Sequence, residues 1–236
     1  HPDNNIKRVF GHFNTSNSSL LASAKYDKQF RKLFVKAFIN AGRIEGNVVD
    51  TSTRKYNWAG EYIERSEDDP RGELLQRRSH LIMTDEILNS QIGMNYDLGP
   101  TGSINFNYTQ NYLKRIGEDI VDEFNQSFQF PNYVNKNILG IAYNFSSSDA
   151  KIDASAFGKG YWYSGKIITQ DFENNDVTNE PNTQNAGYGA ALSYKILPGF
   201  LIKSSYEKAF RLPESYEILG DGIYVNPNPT LQPEKS

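Results

Sequence analysis

The side chains able to do chemistry are scattered along this chain rather than assembled. The histidines are His1, His12 and His80, and none has a second histidine or a carboxylate at zinc-ligand spacing on a single element. Cysteine is absent, which removes thiolate zinc sites, disulfides and cysteine nucleophiles together. Carboxylates cluster at Glu67-Asp68-Asp69 and at Glu118-Asp119 with Asp122-Glu123. These are ligands a hard cation accepts, but the spacing of a calcium loop is missing, so they read as exposed loop charge. Gly158-Lys159-Gly160 and Gly187-Tyr188-Gly189 have the outline of phosphate-binding turns. Neither precedes a helix and the third glycine of a dinucleotide fingerprint is missing, so both read as glycines within strands. No G-x-S-x-G elbow and no Ser, His and Asp set can be found. The expectation is no enzyme, no cofactor and no metal.

The elements that would position any site are strands. Tyr (15) and Phe (14) far outnumber Trp (2) and Met (2), a balance that favours β-structure. Mean hydropathy is -0.63, so polar residues must interleave with apolar ones. No run approaches the roughly 18 apolar residues of a spanning helix, whereas a spanning strand needs only about 9 to 11 with alternate positions apolar. The charge of -3 comes from 25 basic and 28 acidic residues mixed along the chain, without a basic stripe for a phosphate backbone, so nucleic acid is not an expected partner.

Period-2 alternation recurs. Ile92, Met94, Tyr96 and Leu98 run to Gly99-Pro100-Thr101-Gly102, and Ile104, Phe106 and Tyr108 return. Leu139, Ile141, Tyr143 and Phe145 run to Ser146-Ser147-Ser148-Asp149, and Ile152, Ala154 and Ala156 return; Tyr188, Ala190, Leu192, Tyr194 and Ile196 run to Leu197-Pro198-Gly199, and Phe200, Ile202, Ser204 and Tyr206 return. An earlier hairpin turns near Lys28 to Lys32. Short turns near 30, 100, 148 and 198 alternate with long polar connections over 43–87, 114–136 and 166–186, and aromatic residues gather beside the short turns (Tyr96, Tyr143, Phe145, Tyr194, Phe200). The fold class expected is all-β, an antiparallel meander of long hairpins from a transmembrane β-barrel, with about ten strands. The second architecture is a soluble all-β binding module, a sandwich or propeller for carbohydrate.

Tyr206 to Ser236 reads Y-E-K-A-F-R-L-P-E-S-Y-E-I-L-G-D-G-I-Y-V-N-P-N-P-T-L-Q-P-E-K-S. This closely resembles the segment before the final strands of TonB-dependent outer-membrane receptors, with the family motif falling on Phe210, Arg211, Pro213, Glu217, Gly220, Asn228, Pro229, Leu231, Pro233 and Glu234. The three prolines lack the N–H of a central ladder, so the segment is expected to leave the sheet as an ordered loop with an architectural role. The resemblance implies a barrel of about 22 strands in the bacterial outer membrane, blocked by a plug domain. It implies import of a scarce ligand, a metal chelate, cobalamin or glycan, with energy from the TonB complex and outer-membrane lipid around the wall.

Ligand contact in such a receptor comes from long loops and the upper lumen wall, which makes Trp58, Tyr62, Tyr112, Tyr133, Trp162 and Tyr163 the candidates; loop packing or a place at the membrane interface is the alternative for each. The chain opens at His1-Pro2 without an initiator Met or a signal segment and stops at Pro-Glu-Lys-Ser, so 1–236 is expected to be a partial barrel truncated at both ends, without plug or TonB box. Such an excised piece is expected to curl, to self-associate or to aggregate through its unpaired edges, and not to transport alone.

Overall fold

The computed structural model describes residues 14–51, 54–56, 59, 61–64, 66, 78–122, 128–170, 175–220, 225 and 227–235. In chain order the strands are β1 (Asn14–Phe30), β2 (Leu33–Asp50), β3 (Arg54–Tyr56), β4 (Tyr62–Glu64), β5 (Ser79–Asp97), β6 (Ser103–Asp119), β7 (Asn132–Ser146), β8 (Ile152–Gln170), β9 (Asp176–Asn179), β10 (Asn182–Leu197) and β11 (Phe200–Lys208). The short β12 (Phe210–Arg211), the helix α1 (Ser215–Leu219) and β13 (Glu234–Lys235) follow. One nine-stranded sheet runs β1-β2-β5-β6-β7-β8-β10-β11, with β9 added beside β8, and two-stranded ladders join β3 to β4 and β12 to β13. Every pairing is antiparallel, so the expected meander is present.

The expected hairpins are present, with matched alternation carried through their registers. Tyr96 faces Ile104 and Met94 faces Phe106; Tyr143 faces Ala156; Tyr194 faces Ile202. Because paired residues share a face, the alternation of each strand adds to its neighbour's. Leu33, Val35, Ala37 and Ile39 lie with Tyr96, Met94 and Ile92, and these with Ile104, Phe106 and Tyr108. The result is one apolar face, bare of any second layer among the described residues: Ile92, Tyr96, Ile141, Leu192, Tyr194 and Ile202 all stay exposed. A sandwich or propeller would cover such residues with another sheet, and the described residues show none.

The turns have local causes. Gly99 and Gly102 both take positive φ, 74° and 112°. A Cβ on Gly102 would also stand 2.0 Å from the Asn144 carbonyl oxygen, so glycine alone closes this turn against β7. Asp97 Oδ1 accepts the Gly99 N–H at 2.7 Å. At the next turn Ser147 Oγ accepts the Ile152 N–H at 2.9 Å and donates to Asp149 Oδ1 at 2.6 Å. That hydroxyl, with the Lys151 backbone, holds the Asp149 carboxyl below its usual range.

Two expectations need correction. The long connections are shorter than 43–87, 114–136 and 166–186, because β2 runs on to Asp50, β5 starts at Ser79, β6 reaches Asp119, β7 starts at Asn132 and β8 reaches Gln170. These strand ends carry polar side chains on the outer face, so alternation fades there although the ladder continues. Among the described residues the sheet holds nine strands, eight along the meander and the short β9 beside β8, against about ten expected. The motif segment leaves the sheet as ordered chain, as expected, and carries its own short ladder and helix.

The buried core lies on the opposite face, at the long-connection end. Phe128, Val134, Tyr161, Tyr163 and Ile167 pack with Leu212, Ile218 and Leu219 of the segment after β11. Fold and core thus divide the sheet into a bare apolar face and a polar face roofed at one end.

Candidate functional site

The polar face is a wall of in-register hydrogen-bonding groups. Ser23, Asn40, Asn89, Asn111 and Lys136 stand in one row across β1, β2, β5, β6 and β7. Asn40 Nδ2 donates to Ser23 Oγ at 2.7 Å and Asn111 Nδ2 to Asn89 Oδ1 at 2.8 Å. Nearer the short turns Asn95 donates to Asn105. Two ion pairs stand on this wall: Arg115 holds both oxygens of Asp85 at 2.7 Å, and Lys159 meets Glu207 at 2.8 Å. At the turn end a groove of about 780 Å³ is lined by small side chains, among them Ser103, Ser155, Ala191, Ser193 and Ser205.

At the other end a strap crosses the wall. From β11 the chain passes back through Phe210 to Gly220, over β8 and β7 as far as β6. Glu214 caps α1 with a reciprocal capping box: its N–H donates to Glu217 Oε2 at 2.7 Å. Ile218 and Leu219 are fully buried against the wall, whereas Tyr216 on the far side is exposed. Two cations from the sheet hold the strap. Lys136 Nζ reaches Glu214 Oε2 at 2.9 Å and the Pro213 carbonyl at 3.4 Å, and Arg115 donates to the Gly220 carbonyl at 2.7 Å. The Phe210 ring meets Tyr161 edge-on at 5.9 Å.

The motif residues do the clasping. Arg211 donates to Glu234 at 2.9 Å and to Glu217 at 3.3 Å, tying the start of the strap to its helix and to β13. The backbone N–H of Glu214, and then Arg211, hold the Glu217 carboxyl below its usual range; Arg211 does the same for Glu234. Asn228 N–H donates to the Ile218 carbonyl at 3.0 Å, which closes the far arm onto the helix. Gly220 ends α1 with a positive φ of 70°.

The aromatic candidates separate by strand phase. Tyr112, Tyr133 and Trp162 share the phase of the apolar face; Tyr112 and Tyr133 stack with centroids 6.2 Å apart. The Trp162 ring covers Gly160, where a Cβ would stand 2.4 Å from it. Tyr163 has the opposite phase, is buried in the core under the strap, and its hydroxyl has no partner there. Tyr62 lies in β4, and Trp58 lies outside the described residues.

Of the other residues singled out, His1, His12, Glu67-Asp68-Asp69 and Glu123 lie outside the described residues. His80 sits in β5, where its backbone N–H donates to Asp119 Oδ1 at 3.0 Å. Asp119 also accepts from Ser79 Oγ and the Val121 and Asp122 amides, so this carboxylate caps a turn. Gly158 to Gly160 lie in β8 and Gly187 to Gly189 in β10, as strand glycines. Sequence reasoning missed Lys136, Arg115 and Asp85. The phase of Val134, Lys136 and Ile138 marks a wall position, but nothing local joins Lys136 to a carboxylate 78 residues away.

A single antiparallel sheet with one bare apolar face and one polar, partly roofed face is the wall of a membrane-spanning β-barrel. The family model for the TonB dependent receptor-like β-barrel matches residues 2–236, and the chain belongs to that family. Its receptors are transporters of the bacterial outer membrane that work with a ligand and with TonB. The comparison with curated proteins found no match.

Proposed function

We propose that this chain forms part of the wall of an outer-membrane receptor that captures a scarce ligand, a metal chelate, cobalamin or glycan, at its long-connection end. Energy from the TonB complex then drives the ligand through the lumen. Lipid covers the apolar face, and a plug domain packs against the polar face. The observation that carries the reading is the two-faced single sheet, since an exposed row of Ile92, Met94, Tyr96, Ile141, Leu192 and Ile202 has no place in water. The turn-end groove supports the plug, because small side chains leave room for a second body. The domain reading goes with it: 1–236 is one portion of a larger barrel.

Of the aromatic candidates, Tyr112, Tyr133 and Trp162 form the girdle at the upper membrane boundary, and Tyr163 supports the strap. Trp58 and Tyr62 remain the ligand contacts on the connection between β2 and β5. The test uses the full-length receptor as the sole uptake route in an outer-membrane host. Uptake of radiolabelled ferric chelates, cobalamin and oligosaccharides is compared with and without TonB. TonB-dependent uptake of one class, weakened by Trp58→Ala or Tyr62→Ala, is expected. Uptake that persists without TonB, or growth unaffected by loss of the receptor on every ligand, would overturn the reading.

A further inference from the structure

The bare face is not apolar throughout. Ser90, Gln110 and Asn137 lie side by side on β5, β6 and β7, and Asn135 stands two residues from Asn137 on the same face. Gln110 is six residues from Ile104, the first apolar residue of β6 after the turn, or about 16 Å of height at a tilt near 40°. Asn137 is eight residues from Phe145 on β7, or about 21 Å. Both fall inside a lipid band about 25 Å tall, and each lies below the girdle tyrosine of its own strand, Tyr112 or Tyr133.

One copy satisfies this patch only in part. Tyr108 Oη donates to Asn137 Oδ1 at 2.6 Å, Gln110 Nε2 to Asn135 Oδ1 at 3.3 Å, and Ser90 Oγ to Gln110 Oε1 at 3.4 Å. These bonds occupy carbonyl oxygens, while the amide N–H groups of Asn135 and Asn137 donate to nothing among the described residues. A primary amide carries a pair of N–H donors, so both donors of each asparagine stay open. Hydrocarbon offers them no acceptor, and a polar group left bare there is costly.

We infer that this patch is the contact point of a homodimer, in which the amides of one copy pair with those of a second across a two-fold axis along the membrane normal. The inference rests on the membrane-barrel reading above. Two copies in one membrane share an orientation, so such an axis keeps every residue at its own depth and brings the patch onto itself. A primary amide is its own complement, giving an N–H and accepting at its carbonyl, so like pairs with like. The patch carries no charge, and the next charges on β5 and β6, Glu86 and Lys114, neutralise each other within one copy at 3.0 Å, so two copies do not repel. At a two-fold contact the strands of the facing walls cross at about twice their tilt, about 80°, which confines close approach to a small area. A few polar side chains therefore carry the recognition. Ile92 and Ile141, nearer the turns on the same face, are exposed and supply an apolar surround.

The test uses the full-length receptor, refolded into phosphatidylcholine vesicles from batches carrying donor and acceptor dyes. Energy transfer that saturates as the protein-to-lipid ratio rises, and that grows linearly with the acceptor fraction, is expected of a dimer. Gln110→Leu and Asn137→Leu should each weaken association about tenfold, and the pair at least about thirtyfold, because the two-fold axis loses every contact twice. Neither should unfold the monomer, since leucine suits a lipid-facing position, and urea midpoints check this. Asn107→Leu, on the polar face, should leave association unchanged. Transfer that is absent at every ratio, curved in acceptor fraction as in larger clusters, or indifferent to both leucine changes overturns the dimer. So does association that appears only when a glycolipid is added, which makes the patch a lipid contact instead. Failure of the membrane reading looks different: the receptor would stay folded and monodisperse without detergent or lipid.

Discussion

Replacing Leu192 by arginine isolates the orientation of the whole sheet. Leu192 is half exposed on the apolar face, with small Ala154 and Ser204 directly opposite, so an arginine meets no steric obstacle and its cost is one of solvation. Five residues separate it from Leu197 at the end of β10, about 17 Å of strand, or about 13 Å of height at a tilt near 40°. That is close to the middle of a band about 25 Å tall, where a lipid-facing cation costs about 2 to 4 kcal/mol. The neighbouring Ser193 has the opposite phase and stands between Lys203 and Asp153. Ser193→Arg gains an anion on one side and a cation on the other, and should cost less than about 1 kcal/mol. Urea titration of the full-length receptor refolded into phosphatidylcholine vesicles, read by heat-modifiable migration, measures both. A loss of about thirtyfold or more in the folded population for Leu192→Arg, with Ser193→Arg near wild type, is expected. Equal losses, or the reverse order, would refute the assignment of faces.

Gly102→Ala should impair folding of the β5–β6 hairpin by several kcal/mol, since it combines a φ of 112° with a Cβ 2.0 Å from a carbonyl oxygen; Gly99→Ala, with open space around it, should be milder. Urea midpoints rank the two. At the strap, Glu214→Ala should loosen the segment more than Lys136→Met. The first leaves Lys136, only 10% exposed, without its carboxylate, whereas the second removes the buried charge and frees an exposed Glu214; protease cleavage rates between 210 and 220 read the order. The clasp should also respond to acid. Glu217 and Glu234 have carboxyls held below the usual 4.5, so their contribution is complete above that value and is lost as pH falls through their lower folded values. Cleavage of the strap by an acid-tolerant protease should rise only below about pH 4.5 in the wild type, and Arg211→Gln should shrink that step to the part that the Glu214 N–H gives Glu217.

Sequence by itself determined the hairpins, their turns and the two faces, because alternation is a property of each strand and turn chemistry is local to a few residues. Gly99-Pro100-Thr101-Gly102 and Leu197-Pro198-Gly199 mark chain reversals whatever the rest of the chain does. The family segment was legible for the same reason, as a contiguous string from Phe210 to Glu234. The even-numbered phase of β6 extended through Tyr112, so its place on the apolar face was in principle readable; treating 114–136 as loop hid it, because the ladder outlasts the hydropathy signal.

Only the tertiary structure decided where the strap goes. Lys136 and Glu214 are 78 residues apart, and Arg115 and Gly220 are 105 apart. Their meeting depends on a chain that leaves the edge strand and crosses back over β8 and β7. The polar row of Ser23, Asn40, Asn89, Asn111 and Lys136 likewise exists only once five strands lock in register. Local physics sets which way a side chain points, and the packing of distant segments sets what it meets there.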